Sequence, residues 1–251
     1  MEVSIPPPAT RAVQGGITTP VITFDAGQVL VELDLDFLSR RLSERGLEVG
    51  VSALAEAAPA AWRTHDERVA AGASQPWRAF MASLLGGAGA RDVGPIVEWL
   101  WSEQPRANLF RKPIAEMVEL ARELAARGAR VAVLSNSEGR LAELLREISI
   151  DDPFSVIVDS GRLGFAKPDR RIFDHTLDAL GVTGADPIHI GDSWAADIVG
   201  ARDAGWRSIW YGRGVTPTSD PRIASARDPA EARAALVAFG AFGGFGAFGA
   251  L

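Results

Sequence analysis

The chain has 251 residues, 47% hydrophobic and 23% charged, the make-up of an ordinary globular protein with one large domain or a core carrying an insertion. A formal charge of −6 excludes a broad electrostatic grip on nucleic acid or an anionic membrane, so any anion must be held by a few placed cations and backbone N–H groups. There is no cysteine, which removes disulfides, thiolate nucleophiles and thiolate metal sites.

Residues 1–19, rich in Pro, Thr and Gly, read as a flexible arm. Their start, "MEVSIPPPATRAVQGG", lacks the basic end and apolar core of a signal peptide, so a cytoplasmic location is expected. "VITF" (21–24) reads as a buried strand, and it ends on Asp25, a carboxylate that loses hydration there unless something compensates it. Two residues later stands Gly27. From Asp36 to about Leu109 no strand is evident; "DFLSRRLSERG", "SALAEAAPAAWRTHDERVAAG", "PWRAFMASLLGG" and "PIVEWLWSEQ" are helical stretches separated by Gly and Pro.

The pattern then changes. "IAEMVELARELAARG" is an amphipathic helix ended by Gly128, and "RVAVLS" is a β-branched strand. "EGRLAELLREI", "DRRIFDHTLDALG" and "AADIVGARDAG" read as further helices, alternating with strands in "FSVIVDS", "PIHIGD" and "RSIWY". Such alternation predicts an α/β fold: a Rossmann-like parallel sheet core over 20–35 and 112–235, with 36–111 inserted as an α-helical cap. The remainder, 236–251, "LVAFGAFGGFGAFGAL", reads as an uncharged Gly/Ala/Phe tail, too short and too Gly-rich to span a membrane.

In open α/β sheets ligands bind beyond the carboxyl ends of the strands. Asp25 follows "VITF", Ser135 and Asn136 follow "VAVL", Asp192 follows "IHIG", and Lys167 lies in the loop after "SVIVDS". These residues are therefore expected to converge on one edge. Two carboxylates with a hydroxyl, an amide and a lysine suit a Mg²⁺-assisted phosphate site. Ser135 at a strand-to-helix junction places backbone N–H groups near an anion. Lys167 can neutralise charge on phosphoryl oxygens, and Asp25 can attack phosphorus to form an aspartyl phosphate. Lys112 and Lys167 are the only lysines among cations that are otherwise arginine.

With these segments in order the chain resembles the haloacid dehalogenase (HAD) superfamily. "FDAGQVL" stands where that family has D-x-D-x-[TV], "VLSNS" matches its hydrophobic-[ST]-N motif, "GFAKPDRRIF" its lysine motif, and "HIGDSWAADIVGARDAGW" its G-D-[ST]-x-x-x-D motif. The resemblance implies Asp25 as nucleophile and Mg²⁺ ligand, Asp192 as second carboxylate ligand and the Gly27 backbone carbonyl as a third. It implies phosphoryl binding by Ser135, Asn136 and Lys167, an Asp197 that acts through water or through hydrogen bonds to the ligating groups, and a helical cap of the small C1 type in 36–111. Gly27 departs from the family's second aspartate, which protonates the leaving oxygen. "FDAGQVLVELD" is similar to the D-x-G-x-[VI] branch that includes bacterial α-glucose-1-phosphate phosphatases.

The expected activity is thus Mg²⁺-dependent hydrolysis of a small phosphorylated metabolite, such as a sugar phosphate, with neither nucleic acid nor membrane as partner and the oligomeric state left open. Two rivals share the residues: a metal-independent haloacid dehalogenase using the same aspartate, and a non-catalytic phospholigand-binding protein weakened by Gly27. Strand-end acids and Ser135 also cap helices, and an acid at Asp197 gains helix-dipole stabilisation without any catalytic duty. His189 on its strand is expected to be packed and hydrogen-bonded, and the cap tryptophans to pack in a core. Arg63 and His65 are the cap residues expected nearest a substrate.

Overall fold

The computed structural model of the chain describes residues 19–70, 76–212 and 218–242. The arm expected at 1–19, save its last residue, and the tail beyond 242 lie outside the described residues.

Six parallel strands form the main sheet in the order β5-β4-β1-β6-β7-β8. They are β1 (Val21–Phe24), β4 (Arg130–Ser135), β5 (Val156–Asp159), β6 (Ile188–Gly191), β7 (Arg207–Tyr211) and β8 (Ile223–Ala226). The central strands are mostly apolar because both faces are covered, with Thr23 and His189 as fully buried exceptions. Successive side chains go to opposite faces. Val131 and Val133 join one core with Ile22, Phe24, Met117, Leu124 and Leu145, whereas Leu134 packs on the other face with Ile172, Phe173 and Trp206. The helices α5 (Ala115–Ala126), α6 (Leu141–Glu147), α7 (Arg170–Leu180), α8 (Gly200–Asp203) and α9 (Pro229–Ala238) follow their strands and supply those cores.

A second sheet is a short antiparallel ribbon of β2 (Val31–Leu33) and β3 (Phe110–Pro113). Between its strands run α1 (Leu35–Ser43), α2 (Val51–Ala70), α3 (Pro76–Gly87) and α4 (Gly94–Glu103). Asp34 starts α1 by accepting a hydrogen bond from the Phe37 N–H at 2.8 Å. Leu38, Leu42, Leu54, Phe80, Met81, Leu84 and Leu100 give these helices a core of their own. Among the described residues, no helix is long and apolar enough to cross a membrane.

Several elements differ from the sequence reading, among them β8 and α9, neither of which was foreseen. The ribbon was not foreseen, because "VEL" is short and "FRKP" carries two cations and a proline. The stretch 195–205, expected as one α-helix, is a π-helical turn over Trp194–Val199 followed by α8. The boundary of the tail at 236 falls inside α9. Leu236 is fully buried, Ala241 is buried beside it, and Phe242 packs on the same core, so residues 236–242 belong to the folded unit.

Candidate functional site

The carboxyl ends of β1, β4 and β6, adjacent in the sheet, bring the predicted polar residues together. Asp25 continues β1, and its N–H donates to the Ile190 carbonyl at 2.8 Å, which fixes its backbone against β6. Its Oδ1 accepts from Lys167 Nζ at 2.8 Å. That ammonium also donates to the Leu134 carbonyl at 2.7 Å and lies 2.6 Å from Asp197 Oδ1. A lysine side chain only 2% exposed is thereby fully engaged at the junction of β1 and β4.

Asn136 holds this lysine in place. Its Oδ1 accepts from the Lys167 N–H at 2.8 Å and its Nδ2 donates to the Lys167 carbonyl at 2.9 Å. Both ends of the amide are committed to the lysine backbone, so the side chain of Asn136 is a clamp rather than the phosphate contact expected of it. Ser135 is buried at the end of β4, in register with Asp159 of β5.

Asp159 shapes the loop beside the site, a task the sequence reading missed. It accepts from the Gly139 and Gly161 N–H groups at 3.0 and 2.9 Å and from the Leu141 N–H at 2.9 Å, folding the loop after Ser135 and starting α6. Gly161 is needed for this close approach: a Cβ there would lie 2.4 Å from the Gly139 nitrogen.

Asp197 sits on the π-helical turn and is 1% exposed. Its Oδ1 meets Lys167 and, at 3.1 Å, His189 Nε2, while its Oδ2 accepts from the Ser193 N–H at 2.8 Å. Gly191 makes room for it, since a Cβ would come within 2.3 Å of the Asp197 carboxyl carbon. Both Asp197 oxygens thus have protein partners and tie the Asp192 loop to Lys167. One carboxylate oxygen from each of Asp25, Asp192 and Asp197 lies within 4.8 Å of the others.

His189 is packed as expected, but against the site itself. Its Nδ1 is 2.8 Å from Thr23 Oγ1, and its Nε2 faces Asp197 with Lys167 Nζ 3.5 Å away. The network assigns the Nε2–H to Asp197 and lets Nδ1 accept from the Thr23 hydroxyl. Burial, and then the Lys167 charge, lowers its pKa below the ordinary 6.5, which keeps the imidazole neutral. Burial alone would push Asp197 up and Lys167 down. The pairing reverses both: Lys167 and His189 hold Asp197 well below the usual carboxylate range, and Asp197 with Asp25 holds Lys167 above 10.5.

Three carboxylates against one ammonium give the cluster an excess of negative charge, with hard oxygen donors and a neutral imidazole already hydrogen-bonded on both nitrogens. That donor set fits Mg²⁺, and Asp25, Asp192 and the Gly27 carbonyl are the groups that would hold it. Gly27 is not required by packing: a Cβ there would meet only Asp25 Oδ2, at 4.0 Å. Of the helical residues singled out, Trp62 lines a pocket beside Gln28, Arg63 is exposed on α2, and His65 stacks edge-on against Trp62 at 5.3 Å.

A parallel α/β core with acids and a lysine at its strand ends defines a class of hydrolases, and comparison with known proteins agrees. The haloacid dehalogenase-like hydrolase family matches residues 18–205, and the chain belongs to that family. It is 31% identical over 175 residues to the bovine (Bos taurus) haloacid dehalogenase-like hydrolase domain-containing protein 3, covering 65% of this chain and 69% of that protein. It is 34% identical over 146 residues to a phosphoserine phosphatase from Thermus thermophilus, covering 57% of each, so the chain spans little more than half of that enzyme. The HAD-hydrolase YfnB from Bacillus subtilis, bound to magnesium, shares the fold with a TM-score of 0.64 at 19% identity, over 87% of this chain and 99% of that one.

Proposed function

We propose that this hydrolase is a Mg²⁺-dependent phosphatase of small phosphorylated metabolites, working through an aspartyl phosphate on Asp25. The observation that carries the reading is the approach of Asp25, Asp192 and Asp197 to within 4.8 Å of one another beside the Lys167 ammonium. Likeness to phosphoserine phosphatase supports phosphoester chemistry, as does a 28% identical N-acylneuraminate-9-phosphatase from Rattus norvegicus.

A divalent cation held there supplies charge neutralisation on the phosphoryl oxygens. The chain's own residues do the rest. Lys167 engages Asp25 Oδ1, which leaves Oδ2 on the Gly27 side to attack. The new Asp25–phosphorus bond forms as the bond to the leaving oxygen breaks, and the electron pair departs with that oxygen. Ser135 holds a phosphoryl oxygen and the nearby Lys167 charge offsets the negative charge there, while Asp197 keeps Lys167 and the Asp192 loop in place. Water then attacks phosphorus, returning Asp25 as a carboxylate and releasing phosphate. The helical block acts as the cap that excludes bulk water during both steps.

Gly27 cannot protonate the leaving oxygen, a service commonly worth about 10²–10⁴-fold. The preferred substrates are therefore esters whose leaving groups need little protonation, as in an anomeric sugar phosphate, or which carry their own proton donor. Phosphate release from a phosphomonoester panel, with and without Mg²⁺, tests the reading. Mg²⁺-dependent turnover that falls at least about 10³-fold in Asp25→Asn is expected. Halide release from 2-haloacids without metal, or binding without turnover, would overturn it.

A further inference from the structure

Gln28, three residues beyond Asp25, combines features that the turn it occupies does not require. Its backbone has φ of 58°, in the left-handed region that favours glycine. The turn is closed by main-chain groups alone: the Leu30 and Val31 N–H groups donate to the Ala26 carbonyl, and the Gln28 N–H donates to the Val31 carbonyl. A glycine would make the same bonds without strain. The Gln28 side-chain nitrogen is moreover buried with no hydrogen-bond partner, which is costly for a primary amide. Strain and an unmet donor at one residue beside a reacting group are a signature of function.

Gln28 also forms part of the wall of a pocket of about 260 Å³ between the turn, the β2–β3 ribbon and the first two helices. Trp62 gives this pocket an aromatic surface, Glu32 and Asp36 bring acceptors, and Lys112 brings a donor, paired with Glu32 at 2.7 Å. An aromatic surface ringed by both donors and acceptors suits a molecule with a C–H face and several hydroxyls. A plain aromatic ring would leave those polar groups unmatched.

We infer that Gln28 is the specificity-determining residue of a leaving-group subsite, donating its side-chain amide to an oxygen of a polyhydroxylated leaving group that stacks on Trp62. The inference rests on the phosphatase reading above. The last torsion of glutamine is soft, so a modest rotation turns the amide toward the pocket.

The test compares kcat/KM for glycerol 3-phosphate and a hexose phosphate with that for p-nitrophenyl phosphate. In Gln28→Gly the ratio of polyol to aryl ester falls about tenfold, the size of one hydrogen bond. Gln28→Asn, which keeps an amide and tolerates the left-handed backbone, holds the ratio within about threefold of the parent, well inside one hydrogen bond's worth. An unchanged ratio in the glycine variant overturns the inference, as do equal losses in both variants, which would mark a purely structural position. Calorimetry of glycerol 3-phosphate with Asp25→Asn, with and without Gln28→Gly, separates the two levels. If the parent turns over no ester yet Asp25→Asn binds the polyol phosphate through Gln28, only the catalytic reading fails. Neither turnover nor binding overturns both.

Discussion

At the scale of single residues, the site is a chain of polar groups running from Thr23 through His189, Asp197 and Lys167 to Asp25. Strand-like apolar runs exposed Asp25, Ser135 and Asp192 at their ends, and the family's motifs added Lys167 in a loop and Asp197 in a helical turn. They did not reveal Asp159 or the true task of Asn136, since those depend on which backbone atoms the folded loops offer. Gly27 leads to a sharp expectation. With only Asp25 Oδ2 near a Cβ at that position, Gly27→Asp is accommodated and restores a proton donor. Turnover of alkyl phosphates should rise about 10²-fold and that of aryl phosphates much less, so that the dependence on leaving-group pKa flattens. An unchanged dependence would show that protonation is already supplied elsewhere.

His189 yields a pH prediction. Its folded pKa is lowered from 6.5, so the unfolded chain binds the proton first as pH falls. The contribution of this residue to stability is complete above about pH 6.5 and declines below it, by up to about 1.4 kcal/mol per pH unit until the native imidazole protonates. A cation beside Asp25 repels that proton too and leaves the sign unchanged. Imidazole nitrogen shifts should report a mostly neutral ring protonated at Nε2 at about pH 6.5, where a free imidazole is half protonated. An imidazolium ring already present there would contradict the assignment.

At the scale of elements, legibility followed burial. β1, β4 and β6 are covered on both faces, and their largely apolar runs announced them. The ribbon strands and β8 (Ile223–Ala226) lie at edges or carry charge, so their pattern is weak. The amphipathic α7 (Arg170–Leu180) was plain, whereas α9 (Pro229–Ala238) merges in composition with the Gly/Ala/Phe run behind it. What distinguishes α9 is tertiary: Asp228 caps it by accepting from the Glu231 N–H at 2.9 Å, and Leu236 is fully buried. Leu236→Ala should therefore cost about 2–5 kcal/mol in urea unfolding. A loss below about 0.5 kcal/mol, the range of surface substitutions, would mean that α9 is only loosely docked.

At the scale of the molecule, two cores coexist. One lies on the parallel sheet and the other among α1–α4, and the β2–β3 ribbon is the stalk between them. The division into βαβ units and a helical insertion could be read from periodicity, because a strand period gives way to a helical one at about residue 36 and returns after 128. How the helical block sits over the strand ends could not, because that depends on a ribbon only three and four residues long on its two sides. The family match over residues 18–205 spans both parts. The central claim is that Asp25 itself takes the phosphoryl group, and the stereochemical course at phosphorus tests it most directly. With a chirally labelled phosphomonoester and Mg²⁺, two successive in-line displacements predict overall retention, whereas inversion would mean direct attack by water and would contradict the account.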